Sequence, residues 1–195
     1  MTRTGARPPR NHCLDLVKGI ACMLVVCMHC EFPGYLGVLV QCVARFSVPF
    51  FFMVSGYFCY REQGSTNYPR KVRHIASITL FACMVYVVYR ALTGGSFEIT
   101  RKQLFEWVVL NEPVIVAGQL WFLFALLYCY LVFWANQARG IVRMTRIFVP
   151  VGFVCYVCMA QVAHVLGASV PNYLYRNFLV EGLPFFSLGY WLRGG

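Results

Sequence analysis

A polytopic, all-α membrane bundle is the fold class this sequence predicts, and three observations predict it. Of the 195 residues, 59% are hydrophobic and only 12% are charged, against about 25% charged in an ordinary soluble domain. Apolar runs recur along the chain, each near the roughly 20 residues that a helix needs to cross a bilayer. The net charge is +10, yet the basic residues fall mostly in short stretches between those runs. That is the signature of membrane orientation, not of a nucleic-acid surface. The expected partner is the lipid bilayer, and no nucleic acid.

Residues 1–12 read as a basic cytoplasmic tail, with Arg3, Arg7, Arg10 and the pair Pro8-Pro9. Residues 13–193 read as one transmembrane domain of about six spans, at 13–31, 39–60, 74–92, 118–137, 146–167 and 178–193. The first run carries Asp15 and Lys18 and is followed by no small-x-small cleavage site, so it is expected to remain as a helix and not be removed as a leader. The last run is short and contains Pro184. The connection 61–73 holds Arg61, Arg70, Lys71 and Arg73. The connection 138–146 holds Arg139, Arg143 and Arg146. This Lys/Arg bias places both termini in the cytoplasm. On the opposite side, in 93–117, Arg101 and Lys102 are balanced by Glu98, Glu106 and Glu112. Within it, 99–113 is amphipathic, with Leu104, Phe105, Val108 and Val109 on one stripe. It is expected to lie on the outer interface with Trp107 near the head groups.

The ten cysteines sit mostly inside apolar runs, where thiols behave as small hydrophobes, so a disulfide framework is not expected. Cys155-x-x-Cys158 reads as packing. On a helix His29 points away from the Cys27/Cys30 face, so no metal site is expected. Pro49-Phe50-Phe51 with Gly56-Tyr57 echoes Pro184-Phe185-Phe186 with Gly189-Tyr190. A parallel repeat and a biased composition both account for that.

The chemistry concentrates in Asp15 to His29. Ionisable groups in a membrane helix are costly and mark function. Lys18 and His29 are 11 positions apart, about three turns, which puts them on nearly one face roughly 16 Å apart along the axis. Asp15, three residues before Lys18, is within reach of it. An imidazole accepts a proton from a hydroxyl near neutral pH. It also serves as a hydrogen-bonded bridge between helices, and position alone does not choose.

Leu14-Asp15-Leu16-Val17-Lys18-Gly19-Ile20-Ala21 followed by His29 resembles the first helix of the membrane-bound acyltransferase-3 family. Phe46-Ser47-Val48-Pro49-Phe50-Phe51-Phe52-Met53-Val54-Ser55-Gly56-Tyr57 resembles its second helix. Arg70-Lys71-Val72-Arg73 is similar to its basic Arg-x-x-Arg loop, and Gln119-Leu120-Trp121-Phe122-Leu123 to its Leu-Trp-Phe-Leu helix, where His is more usual at position 119. The resemblance implies an integral membrane acyltransferase, in the bacterial plasma membrane. It would move an acyl group, most often acetyl, from acyl-CoA to a hydroxyl or amine of an envelope carbohydrate or similar acceptor. It implies His29 as the catalytic base and Lys18, Arg70 and Arg73 as donor-binding residues. Acyl-CoA is then a substrate, and no bound cofactor is expected. Glu112, Glu181 and Trp121 are the candidates for holding the acceptor or orienting the base, while Arg61 and Lys71 read as topology charges. Members typically have about ten spans, so the chain is expected to be an N-terminal portion of a larger bundle, incomplete at its C-terminal end. A transporter of an envelope precursor, or a non-catalytic membrane module of a longer fusion protein, are the alternative functions.

Overall fold

The computed structural model describes residues 12–30, 32–60, 66–94, 100–111, 118–162, 165–167 and 170–194. The basic tail, Arg61, Glu98, Glu112 and His164 lie outside the described residues. Every regular element among those described is helical, as the sequence predicts. Among the described residues four stretches are long and apolar enough to cross a membrane: Gly34–Tyr57, Tyr68–Leu92, Gly118–Ala138 and Val142–Met159. In the second of these only 6% of the apolar window is buried by the rest of the chain, and Leu80, Phe81, Met84 and Val88 all face outward. A helix apolar all round and barely covered by protein has a suitable solvent only in lipid.

The chain divides into two compact units, Met1–Phe51 and Phe52–Gly195. The first holds α1 (His12–Met28), α2 (Gly34–Ala44) and the start of α3 (Ser47–Tyr57). The expected span 13–31 is shorter than predicted: α1 has 17 residues and ends at Met28, so His29 lies in the turn beyond it. Pro33 bars any continuation through it, because the residue before a proline, here Phe32, is pushed out of the helical region. Gly34 then starts α2 at φ +61°, a conformation glycine adopts without strain. The turn folds back on α2 so closely that a Cβ on Gly37 would overlap the Phe32 carbonyl oxygen. Further along, Pro49 has no N–H to give to the Arg45 carbonyl, and its ring crowds that group. The helix accordingly breaks at Arg45–Phe46, dividing the span Gly34–Tyr57 into α2 and α3.

In the second unit α4 (Tyr68–Leu92) packs along α6 (Trp121–Ala138). Asn67 caps α4, its side-chain oxygen accepting the Arg70 N–H at 3.2 Å, and Pro69 sits in the first turn, where a missing N–H costs nothing. The basic segment 70–73, expected in a loop, is therefore helical. The amphipathic segment forms α5 (Arg101–Leu110), started by the Gln103 side-chain oxygen accepting from the Thr100 N–H at 3.0 Å and hydroxyl at 2.7 Å. Leu104, Phe105 and Val108 remain exposed. Trp107 packs edge-on against Phe124 of α6 at 5.7 Å between centroids. Residues 142–162 are helical throughout, as a 3-10 turn (Val142–Ile147), α7 (Phe148–Tyr156) and a π-helical turn (Val157–Val162). After α8 (Asn172–Tyr175), a second π turn (Phe178–Gly182) leads into α9 (Leu183–Gly194). Pro184 has no N–H to return to Val180, which fits a widened turn at that place.

The core of this unit is aromatic. Phe133, fully buried, meets Phe186 at 4.7 Å and Tyr190 at 5.2 Å between ring centroids, and Tyr130 meets Phe186 edge-on at 5.2 Å. Residues of α3 and α9 approach backbone to backbone at two glycines. A Cβ on Gly56 would overlap the Phe186 carbonyl, and one on Gly189 would overlap the Met53 carbonyl. Small residues permit such crossings between membrane helices. The two motifs that echo one another in the sequence thus lie on helices that cross, each glycine against a carbonyl of the other helix.

Candidate functional site

In the first unit, Lys18 and Asp15 pair at 3.5 Å between Nζ and Oδ1, as their spacing predicts. His29 is exposed. Its N–H donates to the Val26 carbonyl at 3.0 Å, which fixes the turn. The residue before it is tied to α2, because the Gln41 side-chain amide donates to the Met28 carbonyl at 3.2 Å. Gln41 also lines an open cavity of about 490 Å³ with Phe32, Val38, Cys42 and Arg45. The cavity therefore adjoins the His29 turn through one shared side chain.

In the second unit two polar clusters lie toward opposite ends of α6. At its C-terminal end Gln137 and Thr66 exchange two bonds, the Thr66 N–H to Gln137 Oε1 at 3.3 Å and Gln137 Nε2 to the Thr66 carbonyl at 3.4 Å. The Thr66 hydroxyl donates to the Cys59 carbonyl. Lys71 turns inward, donating to the Phe58 carbonyl at 3.1 Å with its ammonium 5.7 Å from the Tyr130 ring centre. Arg70 and Arg73 are exposed on the same first turns of α4. The Arg73 Nε–H donates to the Pro69 carbonyl at 3.5 Å. Cys59 lies beyond the end of α3, fully buried, and burial pushes its thiol up to about 11 against the pull of Lys71. It is a neutral thiol at physiological pH and no nucleophile.

Toward the other end, about 24 Å from Gln137 along the helix, stands Trp121. The Arg176 guanidinium lies 5.7 Å from the Trp121 ring centre and is the charged group acting on Glu181. Glu181 is buried on the π turn Phe178–Gly182, which Asn177 caps by accepting the N–H groups of Leu179 and Val180 at 2.9 and 3.0 Å. Such turns recur at functional sites. Asn111, fully buried at φ 49°, joins three segments here. Its amide donates to the Trp121 carbonyl at 3.2 Å and its oxygen accepts the Phe178 N–H at 2.8 Å.

Residues 11–194 match the model of the acyltransferase-3 family, described as an acyltransferase domain. The chain belongs to the acyltransferase-3 family. Part of this acyltransferase-3 chain is also similar to the serine/alanine racemase of Enterococcus gallinarum, 37% identical over 70 residues. That likeness covers 33% of this chain and 10% of the racemase, so the chain spans about a tenth of that relative's length. No solved structure matches it.

Within this acyltransferase-3 domain the sequence-predicted residues fall into separate groups. Asp15, Lys18 and His29 share the first unit. Arg70 and Arg73 stand together on α4, and Trp121 and Glu181 come together around Arg176. Sequence reading missed Lys71, Asn111, Arg176 and Arg45. Asn111 carried a signal, since asparagine at the end of an amphipathic run, just before Glu112-Pro113, is a left-handed helix cap. Arg45 carried one too, as the lone cation inside an apolar run four residues before a proline. Lys71 and Arg176 had no sequence signal that separates them from orientation charges.

Proposed function

We propose that this acyltransferase moves an acyl group, acetyl in the simplest case, from acyl-CoA to a hydroxyl or amine of an envelope carbohydrate or similar acceptor. His29 serves as the base. Its ring nitrogen takes the proton as the acceptor oxygen or nitrogen attacks the thioester carbonyl. The carbon–sulfur bond then breaks, and the departing CoA thiolate is protonated. Lys18, Arg70 and Arg73 hold donor phosphates, for which the planar guanidinium is well suited. Glu181 and Trp121 contact the acceptor, and Glu112 remains a candidate for the same task. The cytoplasm holds the N-terminus and the basic start of α4.

The observation that carries this reading is the outward stance of Arg70 and Arg73 on one capped helix start, while their neighbour Lys71 turns inward to hold that start in place. Two exposed guanidiniums on the first two turns of a capped helix make an anion-binding surface facing solvent. Reconstitution in vesicles with acetyl-CoA tests the proposal. Release of free CoA thiol that depends on added acceptor supports it, whereas acceptor movement across the bilayer without thiol release would identify a transporter.

A further inference from the structure

We propose that the cavity beside the His29 turn binds the acceptor through an anionic group, a carboxylate or a phosphate, held by Arg45. The proposal rests on the acyl-transfer reading above and names the substrate class for that same site.

Arg45 stands 11 residues from the start and 12 from the end of the span Gly34–Tyr57. At 1.5 Å per residue that is about 17 Å from either end, near the middle of a hydrocarbon layer about 30 Å thick. An arginine cannot lose its charge there, and such groups face a cavity or a partner. Arg45 is exposed and lines the 490 Å³ cavity, a volume within the roughly 300–1,000 Å³ of small-molecule sites. The break that Pro49 makes in the helix falls at this residue. Interrupted membrane helices are a common way of building substrate sites at mid-depth. The wall opposite in chemistry is apolar, from Phe32 and Val38. One cation beside an amide side chain and an apolar wall suits a small molecule with a single anionic group.

The link to the reaction is Gln41. It lies one helical turn before Arg45, lines the same cavity and holds the carbonyl of Met28, the residue preceding His29. An anion on Arg45 therefore sits in a cavity that shares the Gln41 side chain with the turn carrying the proposed base. The donor is a poor candidate for this cation. Its phosphates are at the nucleotide end, assigned to Lys18, Arg70 and Arg73, and Lys18 is about 15 Å along α1 from Met28, the residue before His29. Its reacting thioester is uncharged. The anion near His29 therefore belongs to the acceptor.

Cys42 offers a test that needs no turnover, being exposed on the cavity wall three residues before Arg45. The full chain is placed in phosphatidylcholine vesicles. Modification of Cys42 by an anionic sulfonatoethyl and a cationic trimethylammonioethyl methanethiosulfonate is followed by peptide mass spectrometry. The anionic reagent should react at least about 10-fold faster than the cationic one, as expected from a focused local charge. Arg45→Gln should abolish the preference and Arg45→Lys should keep most of it, which separates charge from folding. Acetate or inorganic phosphate should slow the anionic reagent, and adding anionic phosphatidylglycerol should not. Equal rates with both reagents overturn the proposal. Suppression by phosphatidylglycerol alone also overturns it and assigns Arg45 to a lipid headgroup. Charge selection in a chain that releases no thiol from acetyl-CoA keeps the anion site and removes the acyl-transfer reading. Turnover without charge selection does the reverse.

Discussion

Gly56 of α3 packs against the Phe186 carbonyl of α9, and Gly189 of α9 packs against the Met53 carbonyl of α3, each leaving the room that the carbonyl occupies. Neither position has space for a methyl group. The contact is sustained by dispersion between closely placed backbones, since lipid supplies no hydrophobic drive between helices. Gly189→Ala should destabilise the chain by about 1–3 kcal/mol or more, as overpacking does. Gly19→Ala, in a helix with nothing within 4 Å of where a Cβ would stand, should be neutral or stabilising by up to about 1 kcal/mol. Denaturation in detergent measures both, and equal stability of the two variants would refute the tight crossing.

His29→Gln keeps volume and hydrogen bonding but removes the base. If His29 takes the acceptor proton, both His29→Gln and His29→Ala should insert normally and lose about 10²- to 10⁴-fold in transfer rate. Near-normal transfer by a well-inserted His29→Gln protein would end its role as base.

Arg73→Ala should weaken donor affinity while leaving insertion intact. Loss of a charge-assisted hydrogen bond costs about 1.5–3 kcal/mol, or roughly 10- to 150-fold. Lys71→Ala acts differently, because Lys71 holds the Phe58 carbonyl and lies over Tyr130. It should lower stability and donor affinity together. Calorimetric titration with CoA alongside a melting curve distinguishes the two, and an unchanged CoA affinity in Arg73→Ala would leave that residue an orientation charge only.

Asn111→Gly preserves the left-handed backbone and deletes both hydrogen bonds. It should cost about 1–3 kcal/mol for each buried group left unpaired, a penalty visible in the same melting curves. Asn111→Ala should be worse, because alanine is strained at φ 49°. If the glycine variant melts like the parent, the junction of α5, α6 and the π turn does not depend on this side chain.

Cys59, buried with its thiol raised to about 11, should resist maleimide at pH 7.5, while exposed Cys42 reacts. The sign follows from the thiolate being the nucleophile: a raised value leaves Cys59 protonated until the pH approaches 11. Peptide mapping after a short exposure checks it, and equal modification of both residues would contradict the burial.

Much of this architecture was legible because apolar runs of membrane length dominate the sequence. The helical class, the Asp15–Lys18 pair and the amphipathic helix at 101–110 follow from spacing. The end of α1 was read three residues too late, because hydropathy does not register the turn that the His29 and Cys30 N–H groups make onto the Val26 and Cys27 carbonyls. The basic segment at 70–73 was placed in a loop because charge outweighed the Asn67 cap and Pro69. Lys71 and Arg73 are alike in composition and differ only in which way the capped helix turns them, which no local pattern records. Arg176 reaches Trp121 and the field of Glu181 from a different segment, a tertiary relation invisible along the chain.

The Gly56–Gly189 crossing also sets an order of events during synthesis. About 130 residues separate the two glycines, so the notch at Gly56 leaves the ribosome long before its counterpart exists. At roughly 5–20 residues per second, that interval is about 7–26 seconds. Throughout it the early helices occupy the bilayer without their closest neighbour. Folding of the aromatic core must await residues 183–194, which makes it a late step that follows membrane insertion.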